Sequence, residues 1–175
     1  MLRSFLNQME DQGDYIAALA LFRREGALTD EEAGRLFQLY EKYLPDAADP
    51  DYVRCCLAVY LLPGRSREDR TDFAPLGLLD GELEALFTAA SITRGDGLTV
   101  EQAQNAAALA ADEALSVPVR VLLARIALDE MADSRLFVDL RPQIAALAEF
   151  LTGCGAEVLE RYTPLAREVK TKCRT

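Results

Sequence analysis

The sequence predicts an all-α protein, a compact bundle of about eight or nine helices. In most segments apolar residues recur at a spacing near 3.6, which is the period of one helix face. Helix-capping residues come before these segments, and glycine or proline follows them. The regular alternation of apolar and polar residues that is typical of strands is absent from the sequence. These three observations favour the all-α class.

Two short helices are predicted at the start of the chain. Residues 2–10 place their apolar side chains on one helix face, and Gly13 ends that segment. Asp14 then caps a second helix, which Gly26 ends. The residues that carry a further pattern are Gly13, Asp14, Tyr15, Ala18, Leu19 and Phe22. They resemble part of a single tetratricopeptide hairpin at residues 1–26, and because the pattern does not repeat along the chain, the resemblance implies a helical hairpin and no solenoid.

The next two helices have recognisable starts. Thr29 and Glu32 form a capping box, in which each side chain accepts a hydrogen bond from an unpaired backbone amide of the first turn. The helix that they open runs to Pro45. Pro50 lies in the first turn of a helix at residues 49–63, a position where proline removes no helical hydrogen bond.

The most polar stretch of the sequence, residues 64–75, has no apolar period and predicts a loop. It places three arginines on a chain that is acidic overall. Arginine is enriched at protein interfaces, and loops held by helices commonly carry recognition. We therefore predict a protein-binding surface here, formed by Arg65, Arg67, Arg70, Phe73 and Leu76.

Further helices are predicted in the second half of the chain. Residues 79–90 have a helical period, and Thr99 with Gln102 forms a second capping box that opens a helix to about residue 115. Pro118 begins the next helix. A short helix then ends near Leu140.

The last two predicted helices each contain a proline. Pro142 interrupts a helical pattern, so a new or kinked helix is expected at residues 141–151. Two glycines separate it from a terminal helix at residues 157–172, in which Pro164 is expected to produce a kink.

A pair of motifs lies in the middle of the chain, Tyr60-Leu61-Leu62-Pro63 and Asp72-Phe73-Ala74-Pro75-Leu76-Gly77-Leu78-Leu79-Asp80. Together they resemble the signature of the YkvA-like family of small helical bacterial proteins, over residues 36–90. The step from proline to glycine is one residue shorter than in that family, residues 64–71 replace its usual link, and Gly81 replaces its final aspartate. The resemblance implies a helical bacterial protein and carries no settled biochemical activity.

Charge, length and the distribution of apolar residues exclude several classes of protein. The 175 residues carry 29 acidic and 19 basic side chains, a formal charge of −10, which disfavours nucleic acid as a partner. The length fits one domain at residues 1–175. No apolar run is long enough to span a membrane and no signal peptide is evident, so we expect a cytoplasmic protein.

The chain contains no histidine, which excludes catalytic triads and zinc hydrolases that depend on imidazole. Carboxylates could still hold magnesium. Asp129, Glu130 and Asp133 lie within one helical turn of each other, and the Glu130–Asp133 spacing matches half of the acidic motif of MazG-type nucleotide pyrophosphohydrolases. These three residues are the candidate metal ligands of a magnesium-dependent nucleotide hydrolase.

By elimination, we predict a non-enzymatic protein-binding or scaffolding module that has a protein partner and requires no cofactor. Two alternatives stay open, the magnesium-dependent hydrolase and an acidic inhibitor of a macromolecular partner. The oligomeric state is left open by the sequence.

Overall fold

The structure is a computed structural model that describes residues 9–23, 29–43, 78–94 and 98–174. Within these ranges every regular element is an α-helix and no strand occurs, which confirms the all-α prediction. Seven helices are described there, fewer than the eight or nine predicted. The helix predicted at 49–63 and residues 2–8 of the first predicted helix lie outside the described ranges.

The chain divides into two compact units, Met1–Leu78 and Leu79–Thr175. Each unit has buried leucines of its own, Leu36 in the first and Leu122 in the second. The expectation of one domain at residues 1–175 stays a prediction.

The first unit contains two described helices, α1 (Gln12–Arg23) and α2 (Asp30–Tyr43). The Asp14 carboxylate near the start of α1 accepts hydrogen bonds from Lys42 Nζ and Tyr43 Oη at the end of α2, both at 2.6 Å. Because the start of one helix meets the end of the other, the pair is an antiparallel hairpin.

Of the two helix starts predicted for α1 and α2, one is confirmed and one is wrong. The capping box is confirmed, since Thr29 N donates to Glu32 Oε2 at 2.8 Å and Glu32 N donates to Thr29 Oγ1 at 3.3 Å. The cap predicted at Asp14 is wrong by one turn, because Asp11 Oδ1 accepts the bond from Asp14 N at 2.9 Å. Asp14 is thereby inside α1, where its carboxylate is available to α2.

The second unit is built around one central helix. Its five helices are α3 (Asp80–Thr93), α4 (Val100–Ala111), α5 (Val117–Ala132), α6 (Arg141–Gly153) and α7 (Ala156–Arg174). Helix α5 packs against the other four. Its buried residues lie on every side of the helix: Pro118, Val119, Val121, Leu122, Leu123, Ala124, Ile126, Ala127 and Met131. Since buried residues lie on all of its sides, α5 has no single apolar stripe.

The start of α4 was predicted correctly and its end was not. Thr99 and Gln102 form the expected capping box, with Gln102 N donating to Thr99 Oγ1 at 3.1 Å. The helix ends at Ala111 rather than near residue 115, because the Asp112 carboxylate accepts a hydrogen bond from Ala114 N at 2.9 Å and turns the chain. This is the local side-chain to backbone bond by which aspartate competes with helix continuation.

Helix α4 approaches its neighbours closely through small buried side chains, Ala103, Ala106 and Ala110. Arg120 of α5 joins the end of α4 to α6. Its Nε donates to the Ala110 carbonyl at 2.7 Å, and its guanidinium lies 4.6 Å from the centre of the Phe150 ring. Arg120 thus satisfies a carbonyl at the end of α4 and also packs on an aromatic face.

The short helix predicted to end near Leu140 is wrong, and residues 133–140 form a series of turns, here named the 133–140 loop. Phe137 N donates to the Ser134 carbonyl at 3.2 Å, and the Ser134 hydroxyl accepts a bond from Leu136 N at 3.1 Å. Three apolar residues follow one another at positions 136–138, so a helix would direct them to different sides. The turns bury Leu140 instead.

Helices α6 and α7 follow the predictions more closely. α6 begins at Arg141 with Pro142 in its first turn, as expected for a new helix. Gly155 has φ of +78°, a left-handed conformation that separates α6 from α7. The second of these helices continues through Pro164 to Arg174.

Candidate functional site

The binding surface predicted from the polar loop falls in a part of the chain that the structure does not describe. Arg65, Arg67, Arg70, Phe73 and Leu76 all lie outside the described residues. Their role in binding a partner stays a prediction.

The predicted metal ligands are described, and two of them form ion pairs. Asp129 and Glu130 lie near the end of α5, next to the end of α7. Lys170 Nζ is 3.0 Å from Glu130 Oε1 and 3.9 Å from Asp129 Oδ2. Arg174 Nη2 donates to the same Glu130 oxygen at 2.8 Å. These carboxylates therefore join α5 to α7 through cationic partners.

This arrangement is poorly suited to a divalent cation. The two cationic side chains at Glu130 would repel Mg²⁺, which binds sites where oxygen ligands converge. Among the residues that the structure describes, no three acidic, thiol or imidazole side chains are grouped so that they could hold a metal ion. The magnesium site at Asp129, Glu130 and Asp133 stays a prediction that the geometry does not support.

A cavity lies beside the ion pairs of Glu130 with Lys170 and Arg174, at the start of the 133–140 loop. Its volume is about 360 Å³. Its apolar lining residues are Ile92, Leu98 and Leu136, and its polar and charged lining residues are Glu130, Asp133, Ser134 and Arg135. Recognition pockets combine apolar surface with polar groups that fix the orientation of a partner, and this cavity contains both.

The 133–140 loop, which contributes Leu136 to this cavity, also exposes two apolar side chains. Phe137 is 44% exposed and Val138 is 65% exposed, while Leu140 of the same loop is fully buried. The loop is held by its own backbone hydrogen bonds, including Asp139 N to the Leu136 carbonyl at 2.9 Å. An aromatic and a branched aliphatic side chain are therefore presented to solvent from a hydrogen-bonded loop.

Sequence reasoning missed Phe137 and Val138 because a helix was expected at these positions. A signal was nevertheless present. Leu136, Phe137 and Val138 are consecutive apolar residues between Arg135 and Asp139, a run that a short surface helix could not bury on one face.

A smaller groove of about 140 Å³ lies between α5 and α7. Arg125, Asp129, Arg167 and Lys170 are among its lining residues. The Arg125 Nε atom is buried and forms no hydrogen bond within the described part of the chain. The groove is small and strongly charged, and its acidic member already contacts Lys170.

The two described cysteines are not activated nucleophiles. Burial raises the pKa of the Cys154 thiol, and it also raises that of Cys173 despite opposing effects of Thr93 and Arg94. A raised pKa decreases the thiolate fraction at neutral pH, and the thiolate is the reactive form. Cys55 and Cys56 lie outside the described residues.

Comparisons of the chain with protein-family models, curated proteins and solved structures gave no match. The YkvA-like and tetratricopeptide resemblances stay predictions. One departure from the YkvA-like pattern has a local explanation. A Cβ atom at Gly81 would lie 2.8 Å from Leu115 Cδ2, so glycine allows the first turn of α3 to approach the turn before α5.

No helix in the described ranges combines the length and the apolar character needed to cross a lipid bilayer.

Proposed function

We propose that the chain is a non-enzymatic protein-binding or scaffolding module, and that the 133–140 loop with its adjoining cavity is its recognition surface. The observation that carries this proposal is the exposure of Phe137 and Val138 in a loop whose residue Leu136 lines a cavity with apolar and charged walls. The proposal keeps the function predicted from the sequence and adds a second surface to the predicted arginine loop. A cytoplasmic location and a protein partner belong to the same proposal.

Energetics support binding through these two residues. Fully burying an exposed apolar side chain of this size contributes about 1.5–3 kcal/mol, and roughly half of that is available here because Phe137 and Val138 are 44% and 65% exposed. Aromatic residues that enter apolar pockets are also frequent centres of binding energy. The hydrogen bonds within the loop decrease the conformational entropy that binding would otherwise cost.

The two alternative functions receive less support from the described residues. A magnesium-dependent hydrolase needs open carboxylates, whereas Glu130 is paired with Lys170 and Arg174. An acidic inhibitor needs a concentrated acidic face, whereas the acids at the end of α5 are adjacent to cations of α7. The recognition surface at Phe137 and Val138 requires neither property.

The decisive experiment compares two paired variants. Phe137→Ser with Val138→Ser removes the proposed surface, and Leu79→Ser with Val117→Ser is the matched control, since these residues are 57% and 43% exposed in the same unit. Proteins captured from an extract of the source cells by the wild-type chain are identified, purified and titrated against each variant. We expect affinity to fall at least about tenfold for the first variant, about 1.4 kcal/mol, and to be unchanged for the control. Equal affinities of the two variants for every purified partner would reject the surface.

A further inference from the structure

We propose that the partner recognised by the 133–140 loop is a second copy of this chain, joined through a two-fold symmetric interface. This inference rests on the proposed function, because it identifies the occupant of the same surface. Two properties of the loop support it: an exposed apolar side chain follows a residue that lines a cavity, and the exposed charges of the loop balance.

The first property is that an exposed apolar side chain directly follows, in the loop, a residue that lines the cavity. Phe137 is exposed, and the residue before it, Leu136, lines the cavity with Ile92 and Leu98. In a two-fold interface the same surface patch is used by both copies. Each Phe137 can then contact the apolar wall of the other copy's cavity, so one contact is formed twice. A patch of this kind is complementary to itself.

The second property is the neutrality of the surrounding charges. Asp133, Arg135, Asp139 and Arg141 are all exposed, two acids and two bases within nine residues of sequence. None of the four forms an ion pair with another described residue. Their charges sum to zero on a chain whose formal charge is −10.

The neutrality of the loop favours a second copy of the chain over a strongly basic or strongly acidic partner. A strongly basic partner would be attracted to a patch of acidic residues, and a strongly acidic one to a patch of basic residues. Two copies that each carry −10 repel each other over most of their surfaces. They meet least repulsion where the local charge is zero, and alternating signs allow each arginine to lie opposite an aspartate.

The interface is expected to be weak. Stable protein complexes bury about 800 Å² and roughly 20–30 residues on each partner, whereas the 133–140 loop has eight residues. We therefore expect a dimer that dissociates on dilution. Sedimentation velocity of the full chain across a wide concentration range measures this equilibrium directly.

A charge exchange between Arg135 and Asp139 tests both the dimer and its symmetry. In the proposed interface Arg135 of one copy pairs with Asp139 of the other. Arg135→Asp alone places acids opposite each other, and Asp139→Arg alone places bases opposite each other. Each single variant should dissociate at least about tenfold more readily than the wild type. The double variant restores opposite charges and should regain the dimer.

Mixing the two single variants gives a second test without further mutations. In the mixture, acids on one copy face bases on the other at both positions, so a heterodimer should form although neither variant dimerises well alone. Phe137→Ser should weaken the dimer independently of charge, and Leu79→Ser with Val117→Ser should leave it intact. Far-UV circular dichroism of every variant verifies that the helices are retained.

Three outcomes would overturn the inference. A wild-type chain that stays monomeric up to its solubility limit rejects the second copy as occupant, and the proposed function then stands or falls by the capture experiment alone. A dimer unaffected by Phe137→Ser and by both single charge variants places the interface elsewhere. A dimer weakened by the single variants but not regained in the double variant or the mixture rejects the two-fold pairing of Arg135 with Asp139.

Discussion

Asp14 shows how one side chain joins two helices of the first unit. Its carboxylate accepts hydrogen bonds from Lys42 and Tyr43, and these bonds hold its pKa below the ordinary value of 3.8, with the Lys42 bond as the largest cause. The same contact raises the pKa of Lys42 and of the Tyr43 phenol. The hairpin contact is therefore strongest when Asp14 is ionised.

The contact between α1 and α2 depends on pH, and the direction follows from the lowered pKa of Asp14. A carboxyl group with a depressed pKa in the folded state stabilises that state above its unfolded pKa, and this contribution is lost as pH falls through the folded pKa. Lys42→Met should raise the Asp14 pKa toward 3.8. Carboxyl NMR titration measures the shift. Arg35→Met is the control, since the charge of Arg35 lowers the Asp14 pKa less than Lys42 does, and an equal shift in both variants would contradict the assigned cause.

Residue chemistry also decides how much of the site could be predicted from the sequence. The capping boxes at Thr29 and Thr99 were predictable because they depend on side chains three residues apart. The exposure of Phe137 was not, because it depends on turns that replace a helix. Likewise, the pairing of Glu130 with Lys170 joins residues far apart in sequence, and no local pattern indicates it.

At the scale of elements, the central position of α5 explains both a success and a failure of prediction. A long apolar segment after Pro118 predicts a helix correctly. Its burial on all sides could not be predicted from periodicity, because a helix covered by four others has no polar face to contrast with an apolar one. The contacts that surround α5 arise from tertiary packing, which a single-segment pattern does not contain.

The junction between α6 and α7 gives a prediction for two nearby glycines. Gly155 has φ of +78°, where a side chain is strained, whereas Gly153 is helical and has open space at the position that a Cβ atom would occupy. Gly155→Ala should lower the free energy of unfolding by about 1–2 kcal/mol. Gly153→Ala should leave it unchanged or raise it by up to about 1 kcal/mol, since alanine favours helix. Chemical denaturation measures both, and equal effects would contradict a left-handed requirement at Gly155.

At the scale of the whole molecule, stability and solubility depend on different parts of the chain. The charge of −10 resides on side chains that favour dispersion of the protein in water. Stability depends on the enclosed side chains, and the second unit encloses most of α5. Variants at Leu36 and Leu122, one in each unit, therefore test whether the chain unfolds as the one domain that its length predicts.

Leu122→Ala should lower the free energy of unfolding by about 2–5 kcal/mol, because it removes three carbon atoms from a fully buried site and leaves a cavity. Leu79→Ala is the matched control at an exposed position, with an expected change within about 0.5 kcal/mol. Denaturant titration followed by circular dichroism measures both. If residues 1–175 form one domain, Leu36→Ala should shift the same single transition as Leu122→Ala, since both leucines are fully buried. Two transitions, each shifted by only one of these variants, would contradict the one-domain prediction and show that the units unfold separately.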